Sequence, residues 1–142
     1  MSSPGRVISL DLGEKRIGMA VCDPDGVLAS PYSTIERSGD VALDHREVFA
    51  AVADLGAVRV VVGLPLNMSG ERGPRAVATE QEVEKLRKAL PVPVEVLDER
   101  LTTVSAARSL RSAGLSSRQQ RKGGRIDQEA AAVLLQAWLD RS

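Results

Sequence analysis

The sequence predicts an α/β fold, in a single domain spanning residues 1–142, with a mixed five-stranded sheet flanked by helices. Three short segments rich in β-branched residues open the chain, and the short links between them favour antiparallel strands. Helical and strand-like patterns alternate afterwards. The length of 142 residues fits one domain and is sufficient to bury a core.

The first three strands are predicted at residues 6–12, 17–22 and 27–35. A turn separates the second strand from the third, because Pro24 fixes φ and Gly26 tolerates a positive φ. Nearly continuous apolar runs, typical of buried strands, predict two more strands at 58–64 and 92–97. Apolar residues at helical spacing predict helices at 40–55, 74–90, 102–113 and 127–139. Residues 115–125 are polar and basic, which predicts a loop.

The charges of the chain are unevenly distributed. The 19 Lys and Arg residues balance the 19 Asp and Glu residues, which would argue against a nucleic-acid partner if the total alone were considered. Residues 1–99, however, have a net charge of −5. The segment 100–126 has no acidic residue and either exposes a solvated basic face or binds phosphates. Its basic residues are Arg100, Arg108, Arg111, Arg118, Arg121, Lys122 and Arg125.

Other features of the sequence exclude whole classes of protein. Cys22 is the single cysteine, which excludes an internal disulfide and a cysteine-based zinc site. No apolar run is long enough to span a membrane, and the first residues do not resemble a signal peptide. We therefore expect a cytoplasmic protein without a membrane partner. His45, the only histidine, lies in a polar helical stretch and is predicted to be an ordinary surface residue.

Acidic residues stand at positions where the pattern would favour apolar ones. Asp11 lies in the apolar first strand, and Asp98 and Glu99 close the fifth, where strand parity does not choose between them. Asp127 begins the buried face of the last helix and could also be its N-cap. Converging carboxylates would bind Mg²⁺ or Mn²⁺, and two such ions can cleave a phosphodiester. The spacing alone also fits three unrelated surface acids.

Four segments resemble the YqgF/RuvX family, whose members are called pre-16S rRNA nucleases or Holliday-junction-resolvase-like proteins. They are residues 10–18, 62–70, 98–103 and 127–131, which read LDLGEKRIG, VGLPLNMSG, DERLTT and DQEAA. The resemblance implies an RNase H-like fold and a metal-dependent nuclease that matures 16S rRNA during ribosome biogenesis. It places the family's acidic triad, as catalytic residues and metal ligands, on Asp11, Glu99 and Asp127.

The resemblance also implies basic positions beside the triad and a polar loop after the fourth strand. Together with the basic segment, they give the predicted nucleic-acid contacts, which are Lys15, Arg16, Asn67, Arg100, Arg118, Arg121, Lys122 and Arg125. The sequence departs from the family's usual pattern just after Asp127, where Gln128 and Glu129 replace a basic-apolar pair.

Several substrates and functions stay open from the sequence. The substrate is pre-16S rRNA or a four-way DNA junction, and paired cuts in a junction would require a homodimer with two sites. A non-catalytic nucleic-acid-binding module would be expected to lack one of the three acids, yet all three are present. An ATP-binding lobe related to actin would need a second lobe, which 142 residues do not supply.

Overall fold

The computed structural model describes residues 5–67, 69–101 and 123–141. The helix predicted at 102–113 lies outside these residues, as do Arg118, Arg121 and Lys122. None of the described helices is long and apolar enough to cross a membrane.

The predicted five-stranded mixed sheet is confirmed. Its strands are β1 (Arg6–Leu12), β2 (Arg16–Cys22), β3 (Ala29–Glu36), β4 (Ala57–Leu64) and β5 (Val94–Asp98). They lie in the order β3-β2-β1-β4-β5. The short links make β2 antiparallel to both β1 and β3. The longer helical connections make β4 parallel to both β1 and β5.

The described helices are α1 (Val41–Leu55), α2 (Pro74–Ala89) and α3 (Gly123–Asp140). Asp40 caps α1 by accepting hydrogen bonds from the backbone N–H groups of Ala42 and Leu43. Gly56 ends α1 in the left-handed region, at φ 62°, where a glycine is least strained. Pro74 stands in the first turn of α2, where its missing N–H costs nothing.

The core has two layers, one on each face of the sheet. Alternate residues of β1 face opposite layers, so Ile8 and Leu10 pack beneath α1 and α2, and Val7 packs beneath α3. Between the α3-facing side chains lies Ser9, whose buried hydroxyl donates a 2.6 Å hydrogen bond to the carbonyl of Ala131. This bond fixes the height of α3 over β1.

The start of the last helix differs from the prediction. Helix α3 begins at Gly123, four residues before Asp127, so the N-cap interpretation of Asp127 is wrong. Two consecutive glycines open the helix, and glycine is a poor helix former, which is why the sequence pattern placed the start later. Arg125, predicted to lie in a loop, is part of the first helical turn.

Candidate active site

Asp11 lies on β1 between glycines of the two neighbouring strands. The antiparallel register places Gly18 of β2 directly opposite Asp11. The parallel register, continued by one residue, places Gly63 of β4 on its other side. Asp11 shares a face with Ser9, two residues earlier, and therefore points towards α3. One row across the sheet thus reads glycine, aspartate, glycine on the α3 face.

Gly18 brings Asp127 to this row. A Cβ at Gly18 would stand 2.2 Å from the carbonyl oxygen of Asp127 and 2.8 Å from its Cβ. Only a residue without a side chain can therefore lie beneath α3 at this point. Since Gly18 is paired with Asp11, this contact places Asp127 beside Asp11.

Gly63 brings Glu99 to the same row from the other side. The chain leaves β5 at Asp98 and enters a short 3-10 turn at Glu99–Leu101. A Cβ at Gly63 would stand 2.6 Å from Oε1 of Glu99, so the carboxylate occupies the space that a side chain would fill. Asp11 therefore has Asp127 on one side and Glu99 on the other.

All three carboxylates are buried. Asp11 is 1% exposed, and Glu99 and Asp127 are each 2% exposed. Removing one ionised carboxylate from water is costly unless it is paired or bound to a cation. Three such groups over one stretch of sheet form a concentrated negative charge that a cation would stabilise.

The residues fit a divalent cation in the chemistry of their donor atoms. Their donors are carboxylate oxygens, which Mg²⁺ and Mn²⁺ prefer, and two glycines clear the space around them. Among the described residues, no group of three His, Cys, Asp or Glu side chains has the arrangement needed to hold a metal ion. Since like charges repel, the side chains need a cation to reach common ligand distances.

Asp98 has a different environment from Glu99. Arg100 donates from Nη2 to Oδ2 of Asp98 at 2.7 Å, and its backbone N–H donates to Oδ1 at 2.9 Å. The hydrogen bond from the Arg100 side chain holds the pKa of Asp98 below its usual value. Asp98 is thus engaged by a cation at the surface, whereas Glu99 turns into the buried row. The geometry therefore favours Glu99 over Asp98 as the acid that lies beside Asp11, which is the residue that the family resemblance also favours.

The described part of the chain includes four of the predicted nucleic-acid contacts, which are Lys15, Arg16, Asn67 and Arg100. Lys15 is exposed in the β1–β2 turn, and the next residue, Arg16, forms a 2.8 Å ion pair with Glu36. Asn67 is exposed in the loop after β4, and its carbonyl accepts the backbone N–H of Gly70 at 2.8 Å.

The side chain of Arg100 reaches the same loop. A Cβ at Gly70 would stand 3.1 Å from its Nη1, so Arg100 and the Asn67 loop share one edge of the sheet. The side chain of Arg125 lies outside the described part of the chain.

The surface prediction for His45 is wrong. His45 is 4% exposed, and its Nε2 lies 2.8 Å from Oε2 of Glu82. Glu82 also binds Arg37 through both carboxylate oxygens, at 3.1 and 2.9 Å. The histidine is buried because α1 and α2 pack on the same face of the sheet, which the pattern around residue 45 did not reveal.

Two structural residues of the site were missed by reasoning from the sequence. They are Gly18 and Gly63, which make room for Asp127 and Glu99. The signal was present, since a glycine inside an apolar strand often marks a close approach of backbone or ligand. The sequence does not show which atoms lie opposite each glycine, so it could not show that Asp127 and Glu99 take up that space.

Comparisons with known proteins identify the family of the chain. The family model RuvX, described as a Holliday junction resolvase, matches residues 5–141. A protein of Rhodococcus erythropolis is 48% identical over 140 residues, and one of Nocardia farcinica is 46% identical over 142. Each alignment covers 96% of this chain and 78% of the relative, and both relatives carry the name pre-16S rRNA nuclease.

A solved structure supports the fold. Thermus thermophilus RuvC, in complex with a Holliday junction substrate, superposes with a TM-score of 0.57 at 16% sequence identity. The match covers 96% of this chain and 95% of that chain. Nearly the whole chain therefore has an RNase H-like fold, and by its family match it belongs to the RuvX family.

Proposed function

We propose that this protein is a divalent-metal-dependent nuclease that hydrolyses phosphodiester bonds in pre-16S rRNA during ribosome biogenesis. The observation that carries the proposal is the row of buried acids, in which Asp11 lies between Asp127 and Glu99. The names of the curated relatives support the reaction and the substrate. The activity would belong to one domain of residues 1–142 acting in the cytoplasm.

The three acids would hold Mg²⁺ or Mn²⁺, as one ion or as a pair. Such ions, when bound, activate water and stabilise the leaving oxygen of a phosphodiester. Ala130 and Ala131 are buried on the same face of α3, one turn beyond Asp127, and their small side chains let this end of the helix lie close to the sheet.

The cations around the row would bind and orient the substrate. Lys15 and Arg16 lie in and beside the turn that follows Asp11, and Arg100 directly follows Glu99. Each can bind a backbone phosphate without reading the bases, so these contacts would set the position of the scissile bond. Asn67 and the basic positions Arg118, Arg121, Lys122 and Arg125 would extend the same phosphate-binding surface.

The proposal is tested with Asp127→Asn and a matched variant, Glu129→Gln. Both remove one acidic charge from the first half of α3, but Asp127 is buried in the row and Glu129 is exposed on the outer face. We expect Asp127→Asn to lose cleavage of a structured pre-16S rRNA fragment in Mg²⁺ or Mn²⁺, with an unchanged circular dichroism spectrum. Glu129→Gln should cleave at the wild-type rate.

Unchanged cleavage by Asp127→Asn, or equal loss in both variants, would contradict the assignment. The substrate is tested in parallel, because the family model is described as a Holliday junction resolvase. Faster cleavage of a four-way DNA junction than of the rRNA fragment would favour the junction. In that case, sedimentation should show a homodimer, since paired cuts need two sites.

A further inference from the structure

The turn between β1 and β2 is held from two sides by one arginine, Arg37, which follows β3. Its backbone N–H donates to the carbonyl of Lys15 at 3.0 Å, and its Nε donates to the carbonyl of Gly13 at 2.7 Å. We propose that Arg37 is a positioning residue that fixes this turn, and with it Lys15, for substrate binding. The inference rests on the proposed function only in taking Lys15 as a phosphate contact.

Arg37 is itself fixed by Glu82 of α2. Its Nη1 and Nη2 donate to the two carboxylate oxygens of Glu82, which is the planar, bidentate geometry that arginine forms best. The two side chains are only 16% and 15% exposed, so water competes little for these bonds. The turn is therefore tied to a helix that packs on the opposite face of the sheet from the carboxylate row.

His45 completes the chain of contacts by linking Glu82 to α1. Burial raises the pKa of Glu82, but the hydrogen bonds from His45 and Arg37 outweigh burial and hold the pKa below its usual value. Glu82 thus stays ionised at neutral pH and keeps its ion pair with Arg37. We name Arg37, Glu82 and His45 the clamp.

All three side-chain nitrogens of Arg37 are engaged within the protein, which uses three of its five N–H donors. Nε serves Gly13, and both terminal nitrogens serve Glu82. Its charge is balanced by Glu82, so it contributes little to the attraction of nucleic acid. This pattern separates a residue that holds the turn from one that contacts the substrate.

The turn between β1 and β2 matters because it holds Lys15 close to Asp11 in the chain. Gly13 follows Asp11 by two residues, and Lys15 is exposed and forms no ion pair with any described residue. Arg75 of α2 adds a 3.3 Å ion pair to Glu14 in the same turn. A lysine that forms no ion pair within the described ranges, on a turn fixed beside the acidic row, suits a phosphate contact near the scissile bond.

The test measures RNA binding, not cleavage. A fluorescein-labelled pre-16S rRNA fragment is titrated with the full-length protein in EDTA over a range of salt concentrations, and binding is followed by anisotropy. The logarithm of the binding constant falls linearly with the logarithm of the salt concentration, and each lost phosphate contact on a single strand lowers the steepness of this fall by about 0.7. We expect Arg37→Ala and Lys15→Ala each to lower the slope by about this amount.

The double variant Arg37→Ala/Lys15→Ala distinguishes positioning from contact. If Arg37 acts through Lys15, the double variant binds no more weakly than Lys15→Ala alone. Arg59→Ala is the matched control, since Arg59 forms a 2.7 Å ion pair with Glu95 at a distance from the turn. It should leave the slope unchanged.

A further loss of about 0.7 in the slope of the double variant would overturn the proposal, because Arg37 would then contact phosphate directly. An unchanged slope in either single variant would overturn it as well. If Arg37→Ala does not fold, Glu82→Gln is used in its place, because it weakens the same clamp. It should change the salt slope in the same direction as Arg37→Ala. An unchanged slope would refute the role of the clamp. If the wild-type protein binds the RNA with the expected changes in slope but does not cleave it, the proposed nuclease activity is refuted and the proposed role of Arg37 is not.

Discussion

Replacing Gly63 by alanine should inactivate the protein without unfolding it. The new Cβ would meet Oε1 of Glu99 at 2.6 Å, whereas ordinary Cβ contacts begin near 3.4 Å. The carboxylate oxygen would therefore have to move by roughly 0.8 Å. The opposing atom ends a flexible side chain, so the movement costs little stability.

The effect on catalysis should be much larger than the effect on stability. A misplacement of about 1 Å at a catalytic group can cost roughly 100-fold in rate. Alanine also loses less conformational freedom on folding than glycine, which returns about 0.4–1 kcal/mol. We expect Gly63→Ala to retain its melting temperature within a few degrees and to lose Mn²⁺-dependent cleavage of the rRNA fragment by about two orders of magnitude.

Gly18→Ala is the matched comparison. Its Cβ would meet the backbone oxygen and carbon of Asp127, at 2.2 and 2.4 Å, so helix α3 must shift as a body. Overpacking of this kind costs roughly 1–3 kcal/mol, or about 2–4 °C of melting temperature per kcal/mol. Wild-type cleavage by Gly63→Ala, or wild-type stability of Gly18→Ala, would refute the role assigned to the two glycines.

Two further predictions concern charge. The pKa of Glu82 lies below its usual 4.5 in the folded protein, so its contribution to stability is complete above that pH and is lost as the pH falls through the depressed value. The stability difference between wild type and Glu82→Gln should therefore shrink on acidification in chemical unfolding experiments, and a constant difference would contradict this. Replacing Arg118, Arg121 and Lys122 by alanine should weaken RNA binding and lower the salt slope by about 2–3. An unchanged slope would exclude the basic segment as a phosphate-binding surface.

The predicted sheet was largely correct because it depends on local patterns. The first strand was predicted with its observed bounds, Arg6–Leu12, and the helix after β4 with its observed start at Pro74. Alternating apolar runs and helical periodicity report which face of an element is buried, and burial dominates the choice of structure in these segments. The start of α3 was missed because glycine has a low helix propensity, so the pattern did not extend the helix to Gly123.

The choice between neighbouring acids shows the limit of periodicity. Asp98 and Glu99 were equivalent in the pattern, and only the family resemblance favoured Glu99. The structure separates them by their partners, since Arg100 binds Asp98 and the space over Gly63 receives Glu99. His45 shows the same limit, because its burial depends on Glu82, which lies 37 residues away in sequence.

The sequence by itself predicted the fold class from local patterns, and its resemblance to a known family predicted the three candidate acids, because both depend on residue types at short spacings. Only the tertiary structure decided how the acids meet. Two strand glycines let a helix and a 3-10 turn approach the same aspartate, and Arg37, through Glu82 and His45, joins the following turn to α2 and α1. Such contacts depend on which atoms of distant segments lie opposite each other across the sheet, and no local sequence pattern encodes the distances between them.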